Sequence, residues 1–183
     1  MRFSSAPLNN LSTENRVRPG TGETTVLVTA VLELLQSSRP RILICTHDRQ
    51  DADDLYGLFC QAGCAVLSFD ESSRCGAMDR WQIEPYPLVV TTCFSSFLLH
   101  EQGLPDGHFT HVFLSTAQEM IEPEAMIPLK CLAGVNTCVI LLGDPFYGRP
   151  ASSVGKNTKL ARTYLERLRS LPIYIQDPTS SLL

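Results

Sequence analysis

Five short apolar runs alternate with helix-like stretches, and this alternation constrains the fold of the chain more than any other feature. The runs are 42–45, 65–69, 88–92, 111–114 and 138–142. Short, largely unbroken apolar runs are typical of strands that are covered on both faces of a sheet. Helices are predicted over 24–36, 51–61, 95–100, 123–132 and 160–170, with an irregular connection over 70–87. The order of elements predicts an α/β fold with a mostly parallel sheet.

A glycine-containing loop precedes the first predicted helix and follows the register of a phosphate-binding loop. It consists of Gly20, Thr21, Gly22, Glu23 and Thr24. In the pattern G-x-x-x-x-G-K-[ST], backbone N–H groups surround phosphate oxygens and the lysine neutralises their charge. Here Glu23 holds the lysine position and Val17 holds the first glycine position. At about 4 Å and an effective dielectric near 20, a carboxylate against a phosphate costs on the order of 4 kcal/mol, roughly a thousandfold in affinity.

The residues before this loop do not supply the strand that such a fold requires. A nucleotide-binding α/β fold has a buried apolar strand that leads into its phosphate loop. Only Arg16-Val17-Arg18 lies directly before Pro19, and the preceding residues are mostly polar. The sheet therefore either lacks its first strand or this end is disordered. We expect a disordered segment over 1–17, a single α/β domain over 18–175 and a flexible tail over 176–183.

Composition and cysteine spacing set limits on partners and metals. A formal net charge of −4 at pH 7 gives no global attraction for nucleic acid, so RNA binding would need a local patch. No run approaches the roughly 18 apolar residues of a membrane span and the N-terminus lacks the apolar core of a signal peptide, so we expect a cytoplasmic or nuclear protein, with cytoplasmic as the first choice, and no membrane partner. The spacing of Cys60, Cys64 and Cys75 matches no zinc pattern, and the seven cysteines are expected to be free thiols.

The fourth strand ends in Ser115-Thr116, where a nucleotide-hydrolysing enzyme of this fold carries an Asp-Glu pair. The Asp of that pair holds Mg²⁺ and the Glu polarises the attacking water. A hydroxyl group neither carries charge for a metal nor acts as a base near pH 7. Glu119 is a conceivable substitute, but it lies beyond the end of the strand. We therefore expect no catalytic residues and no ATP or Mg²⁺ cofactor.

Several segments between Pro19 and Tyr174 resemble, in unbroken order, the Armitage-type RNA helicases of superfamily 1. The segment 109–128, FTHVFLSTAQEMIEPEAMIP, resembles the family's FTHVF-(I/V)-DEAGQ with its following Glu-Pro-Glu and Ile-Pro-Leu. The segment 143–150 resembles its GDP-x-Q-L-G-P motif, whose Gln senses the γ-phosphate, and 19–22 resembles part of its GPPGTGKT. Further similar segments are 41–53, 89–96 and 164–168. The resemblance implies the first RecA-like domain of such a helicase.

The departures from the family pattern lie where the resemblance places the chemistry. The lysine becomes Glu23, the metal-binding Asp becomes Ser115, the catalytic Glu becomes Thr116 and the sensor Gln becomes Tyr147. Thr24 and Asp144 are retained. The vestigial nucleotide site would thus comprise Gly20, Thr21, Gly22, Glu23, Thr24, Ser115, Thr116, Asp144 and Tyr147. A second RecA-like domain, which the family needs for unwinding, is not part of these 183 residues.

The resemblance implies a degenerate helicase-like domain, a pseudo-ATPase that binds RNA or protein partners in RNA silencing, including the piRNA pathway and its ribonucleoprotein granules. Candidate RNA contacts are Arg49, Thr91, Thr92 and Ser95. For the last three, a strand end that caps the next helix is an equal alternative. The alternative function is an ATP-dependent RNA helicase component that needs a second domain supplied elsewhere and would use ATP and Mg²⁺. A basic face around Arg162, Arg167 and Arg169 is either a contact surface or simply solvated.

Overall fold

A computed structural model describes residues 22–36, 40–71, 79–144 and 162–172. Within these residues the chain forms six helices and five strands. In chain order they are α1 (Glu23–Leu34), β1 (Ile42–Thr46), α2 (Arg49–Gln61), β2 (Val66–Phe69), α3 (Arg80–Ile83), β3 (Leu88–Thr92), α4 (Cys93–Glu101), β4 (His111–Leu114), α5 (Glu122–Cys131), β5 (Cys138–Leu141) and α6 (Tyr164–Arg169). All five predicted strands and the main helices are present, within a few residues of the predicted ends.

The strands form one sheet in the order β2-β3-β1-β4-β5, and every pair in it is parallel. At the centre, Ile42 of β1 lies opposite Leu88 of β3 and His111 of β4. Every residue of β1 is buried, as its unbroken apolar sequence predicts. The α/β prediction with a RecA-like parallel sheet is therefore confirmed.

Helices cover both faces of the sheet, and each face has its own apolar core. On one face, here called the α1 face, α1 and α2 pack through Leu27, Val31 and Phe59 against strand residues such as Ile44. On the opposite face, the α5 face, α4 and α5 pack against the alternate strand residues, including Leu43 of β1. Successive residues of one strand thus serve opposite cores, which is the geometry of a three-layer sandwich.

Local capping explains where the helices begin. The Asp48 carboxylate accepts a hydrogen bond from the Asp51 N–H at 2.8 Å, so α2 begins at Arg49, two residues before the predicted start. At the start of α6, the Thr163 hydroxyl accepts from the Glu166 N–H at 3.0 Å and the Glu166 carboxylate accepts from the Thr163 N–H at 3.2 Å. Residue 160, the predicted start of that helix, lies outside the described residues.

The prediction of an irregular connection over 70–87 is wrong for part of that segment. Residues Arg80–Ile83 form the short helix α3, because the Gln82 side chain accepts a hydrogen bond from the Asp79 N–H at 2.9 Å and Ile83 is fully buried. The pattern D-x-x-Q before a buried residue is a capping signal that could have indicated this helix.

The two edges of the sheet differ in exposure. The strand β2 is mostly buried, whereas in β5 Cys138 and Val139 are exposed and the next two residues are half-buried. The predicted absence of a first strand concerns residues 1–21, which lie outside the described residues, and the expected tail over 176–183 does so too. None of the helices in the described part of the chain has the length and apolarity needed to cross a membrane.

Candidate functional site

The first turn of α1 meets the end of β4, and this junction holds most of the predicted nucleotide-site residues. Gly22 caps α1 with a φ of 67°, a left-handed conformation that favours glycine. Glu23 is the first residue of α1, and its Oε1 atom accepts a hydrogen bond from the Thr116 N–H at 3.3 Å. The tertiary structure therefore joins the residue at the lysine position directly to the residue at the catalytic glutamate position, 93 residues away in sequence.

Thr116 adopts a backbone conformation that is uncommon for its residue type. Its φ is 61°, and among the described non-glycine residues no other has a positive φ. A β-branched residue is strained in this region. The preceding Ser115 is 6% exposed, and its N–H donates to the Cys45 carbonyl at 2.9 Å, so Ser115 still follows the sheet. The chain turns sharply at Thr116, and this turn directs the Thr116 N–H towards Glu23.

The charges around this junction are negative. Burial raises the pKa of Glu23 above its ordinary value; the Thr116 hydrogen bond opposes this shift, and Asp144, Asp51 and Glu119 add to it. Burial likewise raises the pKa of Asp51, with further contributions from Asp48 and Glu119 and an opposing hydrogen bond from the Thr116 side chain. Each charged neighbour that acts on Glu23 is an acid, so the junction resists further negative charge.

These residues do not fit Mg-ATP. A polyphosphate would meet carboxylates at the position of the neutralising lysine, and a metal ion would meet hydroxyl groups at Ser115 and Thr116. Within the described ranges, no group of three or more His, Cys, Asp or Glu side chains is arranged to hold a metal ion. The carboxylates of the junction can accept hydrogen bonds or pair with a cationic group, but they provide no positive charge to neutralise a polyphosphate.

Five predicted nucleotide-site residues remain, and two of them lie within the described residues. Thr24 is half-buried in the first turn of α1, and Asp144 acts on Glu23 through its charge. Gly143, beside Asp144, packs so closely that a Cβ atom there would lie 2.9 Å from the Gln118 nitrogen, which explains why a glycine is needed. The other three predicted residues, Gly20, Thr21 and Tyr147, lie outside the described residues.

The candidate RNA contacts are paired, buried or used as a helix cap within the fold. Arg49 forms ion pairs with Asp53 and Asp70, although it remains more than half exposed. Thr91 is 1% exposed, so its side chain faces the core. The Thr92 hydroxyl oxygen accepts from the Ser95 N–H at 3.0 Å and thereby caps α4. The helix-capping alternative therefore describes Thr92 and Ser95 in this structure, and their contact with RNA stays a prediction.

Two other features of the sequence have clear places in the fold. On the basic face of α6, Arg167 forms an ion pair with Glu122 and Arg162 donates to the Glu166 carbonyl at 3.1 Å, so part of this face is occupied within the chain. The six cysteines among the described residues are free thiols, as expected from the sequence. Cys75, the third residue of the dismissed zinc pattern, lies outside the described residues.

Sequence reasoning missed a histidine–carboxylate pair at the same edge of the sheet. The Nδ1 atom of His47, just after β1, lies 2.9 Å and 3.1 Å from the two carboxylate oxygens of Glu124 in α5. This hydrogen bond is the main cause of the raised pKa of His47; burial opposes it. Glu124 belongs to the Glu-Pro-Glu segment that the sequence singled out, but nothing local connects it to His47.

A parallel sheet with this strand order, with a glycine-capped helix and the altered residues at the carboxyl ends of its strands, defines a RecA-like α/β domain. The chain is 30% identical over 179 residues to the RNA helicase Mov10l1 of Homo sapiens and 31% identical over 183 residues to that of Mus musculus. Each alignment covers 87% of this chain and 15% of the relative. The chain is also 31% identical over 97 residues to the probable RNA helicase armi of Drosophila melanogaster, which is 52% of this chain and 8% of that protein.

The chain belongs to the Armitage-type superfamily 1 RNA helicases, as a partial domain. It spans about 15% of the length of the Mov10l1 relatives that it matches. No family model matches the chain.

Proposed function

We propose that this chain is a pseudo-ATPase domain that serves RNA silencing as an interaction module and neither binds nor hydrolyses ATP. The observation that carries the proposal is the contact between Glu23 and Thr116. The Glu23 carboxylate accepts a hydrogen bond from the Thr116 N–H at 3.3 Å. It therefore places a negative charge at the position where the family pattern has a lysine. The acids around it, Asp51, Glu119 and Asp144, reinforce this charge.

The substitutions at this junction are mutually compatible, which supports a stable alternative arrangement. A carboxylate at position 23 beside an Asp-Glu pair at 115–116 would place three like charges together, which costs free energy. With hydroxyls at Ser115 and Thr116, the Glu23 carboxylate instead gains a backbone donor. The hydrogen bond between Glu23 and Thr116 joins α1 to the end of β4.

Calorimetric titration with Mg-ATP tests this proposal. We expect the natural chain to bind no nucleotide below millimolar concentration, and the triple variant Glu23→Lys, Ser115→Asp, Thr116→Glu to gain binding. Glu33→Lys is a matched control, because it makes the same charge change at an exposed position of the same helix. Micromolar binding of Mg-ATP by the natural chain would refute the proposal.

Two observations favour a second candidate, an ATP-dependent RNA helicase component that works with a second domain. Thr24 and Asp144 are retained at the junction, and the relatives named above are RNA helicases. For this candidate, the natural chain would bind Mg-ATP in the titration and hydrolyse it once the second domain of a relative is added. The proposed pseudo-ATPase would do neither.

The state of the candidate RNA-contact residues bears on which kind of partner the domain binds. Because Arg49 is paired, Thr91 is buried and the net charge is −4, we propose protein as the main partner, in cytoplasmic RNA-silencing complexes. RNA binding remains a proposal that rests on the relatives' names. Fluorescence anisotropy with a labelled single-stranded RNA checks it, and Arg49→Glu should abolish any binding that uses this surface.

A further inference from the structure

Helices α4 and α5 lie side by side on the α5 face of the sheet, and the groove between them is apolar where it meets solvent. The groove has a volume of about 540 Å³. It is lined by Phe94 and Phe97 of α4 and by Met126 of α5, which are 65%, 43% and 39% exposed. The outward face of a surface helix is normally polar, so an apolar outward face indicates a contact surface.

The side of α5 that lines the groove has the spacing of a helical contact stripe. Its residues recur at i, i+3, i+4 and i+7, and they are Pro123, Met126, Ile127 and Lys130. The buried side of the same helix carries Ala125 and Pro128. Helix α5 therefore presents apolar residues both to the core and to the groove, and the groove side ends in a lysine.

Opposite charges lie at the two ends of the groove. Glu71 follows the end of β2, so it lies at the carboxyl edge of the sheet, where α4 also begins. Lys130 lies in the last turn of α5, which leads to the opposite edge, where β5 begins. Both side chains are exposed, and neither forms an ion pair with another described residue. The groove is thus negative at one end, apolar in the middle and positive at the other end.

This arrangement of charges is complementary to itself. A two-fold axis perpendicular to the face reverses the direction of the groove, so Glu71 of one copy meets Lys130 of the other, and this contact forms twice. The apolar residues Phe94, Phe97 and Met126 of the two copies then meet at the centre. Aromatic residues and methionine are enriched in the cores of protein interfaces. A second copy of the chain therefore matches the groove in both charge and apolarity.

We propose that the groove between α4 and α5 binds the same groove of a second copy of this chain, in an antiparallel dimer with two-fold symmetry. Helices of 9 and 10 residues give a small interface compared with those of stable dimers, so the association is weak and reversible. This inference goes beyond the pseudo-ATPase proposal. It does not depend on whether ATP binds, because the groove lies on the α5 face and Glu23 belongs to α1 on the opposite face.

Sedimentation velocity of the full chain, without nucleotide, tests the proposal at concentrations up to about 200 µM, which a weak interface requires. We expect a reversible equilibrium between monomer and dimer. Lys130→Glu and Glu71→Lys should each weaken dimerisation about tenfold or more, because each places like charges together at both ends of the interface. Phe94→Gln should also weaken it, and since Phe94 is 65% exposed in the single chain, this variant should still fold.

A one-to-one mixture of the two charge variants gives the sharpest test. In the mixed dimer, one copy supplies a carboxylate at both positions and the other supplies an ammonium group at both, so each contact again joins opposite charges. The mixture should therefore dimerise as the natural chain does, although each variant alone does not. Recovery in the mixture would also show that both variants are folded.

Glu33→Lys is the matched control, because it makes the same charge change as Glu71→Lys at an exposed position of α1, on the opposite face. It should leave dimerisation unchanged. A chain that stays monomeric over the whole concentration range would overturn the proposal. So would a dimer that neither charge variant weakens, a mixture that stays monomeric, or a dimer that Glu33→Lys weakens as much as Glu71→Lys does.

Discussion

Replacing Glu23 by glutamine tests the electrostatics of the candidate site most directly. The amide oxygen of Glu23→Gln can still accept the Thr116 N–H, so the variant removes charge and little else. The raised pKa of Glu23 means that the folded state binds the proton more tightly than the unfolded state does. The free energy of unfolding therefore contains a contribution from protonated Glu23 that is fully present below the ordinary carboxyl pKa. This contribution is lost as pH rises through the raised pKa of Glu23.

The expected size follows from the exposure of the side chain and from its position in the helix. Glu23 is only about half-buried, so solvent limits the cost of its charge to about 1 kcal/mol at neutral pH. Loss of a favourable interaction with the N-terminus of α1, worth roughly 0.3–1 kcal/mol, reduces the gain. For a domain of this size, Glu23→Gln should therefore raise Tm by up to about 3 °C at pH 7.5 and leave it unchanged near pH 4.

Thermal unfolding followed by circular dichroism at these two pH values is the assay. Glu33→Gln is the control, because Glu33 is exposed on the same helix and its replacement should change Tm equally little at both pH values. If Glu23→Gln lowers Tm at pH 7.5 below that of the control, the hydrogen bond from Thr116 and the helix dipole outweigh burial and repulsion. The conclusion that a negative charge at Glu23 is unfavourable in this junction would then be refuted.

Three further predictions concern strain, an unsatisfied hydroxyl and a pH-dependent pair. Because φ at Thr116 is 61°, a backbone conformation that asparagine tolerates better than a β-branched residue does, Thr116→Asn should raise stability against urea by about 0.5–1 kcal/mol. The buried Thr91 hydroxyl has no hydrogen-bond partner in the described part of the chain, so Thr91→Val should stabilise by about 1 kcal/mol; a loss of stability would reveal a partner. Because the pKa of His47 is raised in the folded state, protonated His47 stabilises the fold below the ordinary histidine pKa. This stabilisation is lost as pH rises through the raised pKa of His47. Glu124→Gln should therefore lower Tm by about 2–4 °C at pH 6 and much less at pH 9.

The layout of strands and helices could be predicted because it follows from local patterns. An unbroken run such as Ile42–Thr46 has too little polar surface to face water, and it forms the buried central strand. Helix ends were less predictable, since α2 begins at Arg49 only because the Asp48 side chain caps it. The short helix α3 was not predicted, because its four residues are too few to show a helical periodicity.

The candidate site could be predicted only as a set of altered positions. The sequence alone predicted that Glu23, Ser115 and Thr116 stand where the family pattern has a lysine and an Asp-Glu pair, and side-chain identity fixes their protonation chemistry wherever the residues lie. It also determined the parallel α/β class. Only the tertiary structure determined which residues the side chains of the candidate site contact. The pairing of Glu23 with Thr116, the pairing of His47 with Glu124 and the burial of Thr91 depend on which strands are neighbours. So does the exposure of Cys138 and Val139 in β5. Such contacts arise from packing between segments that are far apart in the chain, and local sequence periodicity does not predict them.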